Sequence, residues 1–241
     1  MNTTLNDNDK LYRFISYETL LDYLVNKRFP FSKCKLFKDP WELFFNDAEF
    51  IIDDNDSWGD PHKEHLFAMC FTKTEESEAL WRIYSKNKSG VKIVVSVERL
   101  KKLVKDSYLD FDVYLQEMVY DDNVKNEDFF VNKFPNAKTI KELRRACLFL
   151  KRKAFEYEQE VRLVLDSKKE RPDEDIYHIL VEDPNEIIEK IVLSPRIDNE
   201  MVILQRKILK DKFGFKGDIA KSQLYTYNSM RYKTNIHPFP D

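Results

Sequence analysis

Within eleven residues the chain passes from an acidic cluster into an apolar run: Phe155-Glu156-Tyr157-Glu158-Gln159-Glu160-Val161-Arg162-Leu163-Val164-Leu165. The alternation of Val161, Leu163 and Leu165 is the period-two pattern of a strand with one face in a core. The expected element is therefore a half-buried strand with Glu160 at its mouth. A carboxylate held there is fixed by rigid backbone while its head stays near solvent, which suits a catalytic acid. The plain alternative is a strand flanked by solvated acids.

A chain of 241 residues has room for one large domain or two small ones, and 18 Phe and 12 Tyr give it ample material for a core. Only four glycines are present, which argues against a glycine-rich phosphate loop. The formal net charge of −3 advertises no global field for nucleic acid. Cys34, Cys70 and Cys147 are an odd set within apolar stretches, as expected of buried thiols in a reducing compartment. Met1-Asn2-Thr3-Thr4-Leu5 lacks the basic start and apolar run of a signal peptide, and no apolar stretch approaches the ~20 residues that span a bilayer. A cytoplasmic protein without membrane contact is expected.

Residues 1–10 are polar and expected to fray, leaving 11–241 as a single domain. Leu11–Ile15 reads as a strand, followed by a helix from Tyr17 to about Asn26 capped by Ser16. Phe29–Ser32 is extended, Asn46–Glu64 an acidic surface loop, and Leu66–Phe71 a buried strand. A helix after Thr74–Glu78 carries Trp81 and Tyr84, and Val91–Val97 is a strand. Residues 97–105 and 110–120 fit either a helix or a strand. A basic amphipathic helix over Thr139–Lys153 precedes the acidic segment. Ile187–Leu193 is a strand, Asp198–Phe213 a helix and Gln223–Tyr227 a last strand. Strands separated by helices of uneven length imply an α+β fold with a mixed or antiparallel sheet.

His62 and His65 are spaced H-x-x-H with no second Cys/His cluster beside them, so no metal site is expected. Trp81 and Tyr84 stand three apart on one helical face, either as core aromatics or as a wall for a planar ligand. Arg144, Arg145 and Lys151 concentrate positive charge before the acids. They form either a solvated face or a contact for phosphates.

Three features follow in order: Tyr12-Arg13 in a first strand, Phe71-Thr72 at the end of a middle strand, and Glu158-Gln159-Glu160-Val161 entering a late strand. That order resembles the ADP-ribosyltransferase superfamily, whose split β-sheet carries Arg or His first, a Ser, Thr or Tyr in the middle and a late Glu-x-Glu. Nearly end to end, the chain also resembles an uncharacterised bacterial domain family. This second resemblance rests on Leu11-Tyr12-Arg13-Phe14, Asp39-Pro40-Trp41-Glu42, Cys70-Phe71-Thr72, Trp81 with Tyr84 and Gly90, Tyr157-Glu158-Gln159-Glu160-Val161-Arg162 and Ile191-Val192-Leu193-Ser194-Pro195-Arg196. Two departures stand out. The middle motif is Cys70-Phe71-Thr72 where one class has Ser-Thr-Ser, and Arg13 stands where the tyrosine-containing class has His.

The resemblance implies an NAD-dependent transferase of the glycosyltransferase class, with NAD as co-substrate and no metal. Glu160 would be the catalytic carboxylate and Glu158 its partner toward the acceptor, both on one side of an extended chain. Tyr12, Arg13, Phe71, Thr72, Trp81 and Tyr84 would hold NAD; Arg144, Arg145 and Lys151 would meet the acceptor, a nucleic acid (RNA included) or a protein. Such bacterial enzymes act as toxins or in phage defence, with an antitoxin or chaperone as a further expected partner. Glu160→Gln is expected to abolish transfer while sparing stability. The alternatives are a non-catalytic binding module, or a nuclease-like effector holding Mg²⁺ on Asp39, Glu42 and Glu158.

Overall fold

The computed structural model describes residues 1–37, 39, 42, 50–53, 56–58, 65–85, 87–123, 128–169, 171, 173–227 and 233. Pro40, Trp41 and His62 lie outside them, as does most of the stretch expected to be an acidic loop.

The chain opens with β1 (Lys10–Ile15), α1 (Tyr17–Val25) and β2 (Arg28–Lys33). The Ser16 hydroxyl accepts the Thr19 N–H and starts α1, as a Ser cap should. Next come β3 (Phe50–Asp53) and β4 (Asp56–Trp58), which pair antiparallel with Phe50 opposite Trp58. This short hairpin replaces part of the expected loop. It is followed by β5 (Leu66–Thr72), α2 (Glu78–Tyr84), β6 (Val91–Ser96), α3 (Val97–Leu103), β7 (Phe111–Glu117), β8 (Val119–Tyr120), α4 (Phe129–Lys133), α5 (Ile140–Cys147) and β9 (Leu150–Lys151). The chain continues with β10 (Glu160–Ser167), β11 (Ile176–Leu180), β12 (Lys190–Leu193), α6 (Asn199–Asp211) and β13 (Asp218–Lys221).

Nine strands join in one mainly antiparallel sheet, so the fold is the expected α+β. Its five-stranded part runs β11-β2-β5-β10-β7 and its four-stranded part β1-β6-β12-β13. The two parts meet at one residue pair, Tyr12 opposite Thr72, whereas β1 and β6 pair over six positions and β5 and β10 over seven. The sheet is split, as the resemblance implies.

One face of the sheet buries the main core. Leu11 and Ile15 of β1, Phe67, Met69 and Phe71 of β5, and Val161, Leu163 and Leu165 of β10 pack there beneath Leu20, Tyr23 and Leu24 of α1. Alternation sends Tyr12, Thr72 and Glu160 to the other face. There, a small cluster around Phe14 and Trp81 lies on one side of the split and another around Ala68, Leu148 and Val164 on the other.

Four expectations are corrected. The basic helix ends at Cys147, because Leu148, Phe149 and Leu150 are drawn into the core and β9 pairs parallel with β8. The last strand among the described residues is β13, parallel to β12; Gln223–Tyr227 holds a turn closed by the Thr226 N–H on the Gln223 carbonyl. The N-terminus is docked: the Asn2 N–H donates to the Val113 carbonyl, and the Leu115 N–H to the Asn2 carbonyl, both at 2.9 Å. This supplies hydrogen-bond partners to the edge strand β7. Finally, β11, unforeseen because its side chains are mostly half-exposed, adds an edge beside β2.

Candidate active site

Between Ala68, opposite Ser32, and Thr72, opposite Tyr12, this edge of β5 borders no strand among the described residues. The Cys70 carbonyl facing the gap accepts a hydrogen bond from Arg13 Nη1, and the Arg13 guanidinium lies 6.0 Å from the Phe71 ring centre. Above the gap opens a cavity of about 840 Å³. Its wall includes Tyr12, Arg13, Phe71, Thr72, Tyr84, Glu158 and Glu160, and the volume is within the usual range for a small-molecule site.

Glu160 is 5% exposed and engages two cations. Arg162, two residues on and hence on the same face of β10, donates Nε to Glu160 Oε1 at 3.0 Å. The Lys151 ammonium lies 2.7 Å from Glu160 Oε2 and 2.7 Å from Glu158 Oε2. Glu42 completes the cluster, bonded to Arg162 Nη2 and 3.6 Å from Lys151. Burial alone would raise the Glu160 pKa, but Arg162 and Lys151 outweigh it and hold the carboxyl down at about 2. Lys151 in turn is held protonated, burial being overcome by Glu160 and Glu42. The site therefore presents an ionised carboxylate whose position is fixed by two cations.

Glu158 and Glu160 do converge, though not through extended chain. Glu158 ends a 3₁₀ turn (Lys153–Glu158), and Gln159 adopts the left-handed conformation at φ 40° before the strand begins. Thr72 braces that turn. Its hydroxyl donates to the Glu158 carbonyl and accepts the Thr74 N–H at 2.9 Å, while the Lys73 N–H donates to the Gln159 carbonyl at 3.0 Å. The Tyr120 hydroxyl accepts the Glu160 N–H at 2.8 Å.

The remaining expected site residues divide. Tyr84 is 45% exposed and lines the cavity, whereas Trp81 is fully buried edge-on against Phe14, with ring centres 4.9 Å apart. Of the two aromatics, Trp81 is thus core and only Tyr84 faces the cavity. The basic helix does not offer its charges as expected. Arg144 is buried against Asp166 at 3.2 Å, because a guanidinium on the inner face of α5 must be paired. Arg145 lies over the Tyr114 ring at 4.9 Å, and Lys151 serves the carboxylates. Arg162 belongs to the site although it was not expected as a site residue, and Glu42, expected only as a Mg²⁺ ligand of the nuclease alternative, joins it as the partner of Arg162. The signal for Arg162 was present: an arginine in an apolar strand, two residues from an acid, has to find a carboxylate.

The carboxylates proposed for Mg²⁺ are each matched to a cation: Asp39 to Arg152 at 3.0 Å, Glu42 to Arg162, and Glu158 to Lys151. Among the described residues no group of three or more His, Cys, Asp or Glu side chains gathers to hold a metal, and no helix is long and apolar enough to cross a membrane.

Two structures of DarT from Thermus sp. 2.9 are similar to this chain at 13% identity. The complex with NAD+ aligns over 93% of this chain and 100% of that one, with a TM-score of 0.41. The complex with ADP-ribosylated ssDNA aligns over 94% and 100%, with a TM-score of 0.42. No curated protein matches. Residues 80–163, about a third of the chain, match the profile of a family described as a protein of unknown function, DUF2971. That segment holds Trp81, Tyr84, Gly90 and Tyr157–Arg162, so the expected resemblance to an uncharacterised domain family is met over that part of its motif residues.

Proposed function

We propose that the split in the sheet binds NAD and that the chain transfers ADP-ribose from it to a macromolecule. One observation carries the reading. Tyr12, Thr72 and Glu160 stand in a single row across β1, β5 and β10, at the fork where Arg13 and Tyr84 also reach the cavity. The three sequence motifs, far apart in the chain, thus supply one cleft.

The residues suit a dinucleotide. Arg13 is the cation set in the fork, beside the Tyr23 hydroxyl and bonded to the Cys70 carbonyl. Its forked guanidinium suits a phosphate or ribose oxygen of the dinucleotide. Tyr84 offers an exposed ring to a planar base. NAD supplies the electrophile: the bond from ribose C1′ to nicotinamide breaks, its electron pair leaving on nicotinamide, and the acceptor's nucleophile bonds to C1′. Glu160 stabilises the positive charge that develops on the ribose, and Lys151 and Arg162 keep that carboxylate ionised and in place. Glu158 takes the acceptor's proton. A nucleic acid or a protein would serve as acceptor, and a role as a toxin or in phage defence fits either.

Titration calorimetry with NAD, followed by incubation with labelled NAD and cell extract, tests the reading. Digestion of the product with nuclease or protease then identifies the acceptor. Absence of both NAD binding and label transfer would leave the binding-module alternative in place.

A further inference from the structure

Two motif residues of the chain, Gly90 and Arg196, lie outside the cavity wall, yet both close on the end of the helix that carries Tyr84. We infer that Arg196 is a positioning residue for the cleft, clamping the C-terminus of α2 and so fixing where Tyr84 stands. Its effect on ligand rests on the NAD reading above; the clamp itself does not.

Seven residues make α2 too short to hold its shape alone, and its terminal carbonyls need partners. Arg196 reaches them from more than a hundred residues away: Nη2 donates to the Trp81 carbonyl at 3.2 Å and to the Ser85 carbonyl at 3.0 Å, the two positions that bracket Tyr84. A cation at this pole also opposes the helix dipole. The same junction is closed from below. The Gly90 N–H donates to Ser85 Oγ at 2.8 Å, and the Ser194 N–H to the Gly90 carbonyl at 3.0 Å. A methyl group on Gly90 would sit 2.3 Å from Ser85 Cβ, so only glycine permits the approach. Arg196 Nε is buried without a partner among the described residues, a cost borne while Nη2 serves two carbonyls. Ahead of Tyr84, Trp81 is wedged against Phe14, and its indole N–H donates to Glu76. With both flanks pinned, the backbone that carries Tyr84 at the cavity is fixed.

The test places fluorotyrosine at position 84 and measures NAD affinity for wild type, Arg196→Met, Arg196→Lys, Tyr84→Ala and the double variant Tyr84→Ala/Arg196→Met. Arg196→Met should shift or broaden the fluorine resonance and weaken NAD binding roughly tenfold. On the Tyr84→Ala background it should add less than about twofold, since residues acting through one another are not additive. Arg196→Lys, which keeps the charge at the helix end, should restore part of the affinity, and it carries the same comparison if the Met variant fails to fold. An unchanged fluorine resonance, or full additivity with Tyr84→Ala, overturns the inference. A wild-type protein that binds no NAD overturns the cleft reading instead, and the fluorine resonance then decides the clamp alone.

Discussion

Glu160 and Asp166 stand six residues apart on the same face of β10, both buried and both paired with an arginine, yet they differ in what surrounds them. Asp166 meets Arg144 in a sealed pair at 3.2 Å, away from the cavity. Glu160 meets Arg162 and Lys151 at the edge of the cavity, where Glu42 and Glu158 bring the carboxylates to three against two cations. A buried ion pair alone is therefore no sign of chemistry. What distinguishes the candidate site is an opening beside it and, among the described residues, three carboxylates gathered around two cations.

That contrast can be broken at either end. The largest effect is expected at Glu160: replacing it by Gln should lower NAD turnover by roughly 10²–10³-fold, as for loss of a preorganised charge stabiliser. The same change should also lower the thermal midpoint, because it leaves Arg162 and Lys151 buried with less compensation. The structure thus withdraws the expectation that stability is spared. Arg144→Met should lower stability in denaturant unfolding by up to about 3–5 kcal/mol, because it takes a guanidinium away from a buried carboxylate, while NAD affinity in the folded fraction stays at the wild-type value. A loss of affinity there would erase the distinction between the two pairs. Tyr84→Ala should weaken NAD binding about tenfold with no change in unfolding midpoint, since the ring is half-exposed.

The smallest effect is in acid. Glu160 is held at about 2 against an ordinary 4.5, so the unfolded chain takes up the proton first. Its stabilising contribution is complete above pH 4.5 and fades as the pH falls toward 2. Thermal midpoints measured across that window should fall more steeply for wild type than for Glu160→Gln.

Local patterns made much of this legible. Ser16 before a leucine-rich helix, and the alternation through Val161, Leu163 and Leu165, located α1 and β10 because capping and periodicity act over a few residues. The order of the motifs around Tyr12, Thr72 and Glu160 was legible but their alignment in one row was not, since register between strands is set by pairing that no single segment encodes. Lys151 shows where the reading stopped. In sequence it extends a basic run; in the structure the helix has already ended, and β9 pairs with β8 to bring the ammonium under two carboxylates. Likewise Trp81 and Tyr84 look equivalent by spacing, and only packing against Phe14 assigns one to the core.

The lone rung between Tyr12 and Thr72 also makes the cleft a mechanical seam. Elsewhere neighbouring strands of the sheet share two to seven rungs; here two panels share one rung and a guanidinium strut from Arg13 to Cys70. A molecule lodged across that seam would carry load from panel to panel. Its occupancy should register far from the cleft, as slower amide exchange along both β1 and β5 and as added global stability of ~2.7 kcal/mol at a hundredfold excess over Kd.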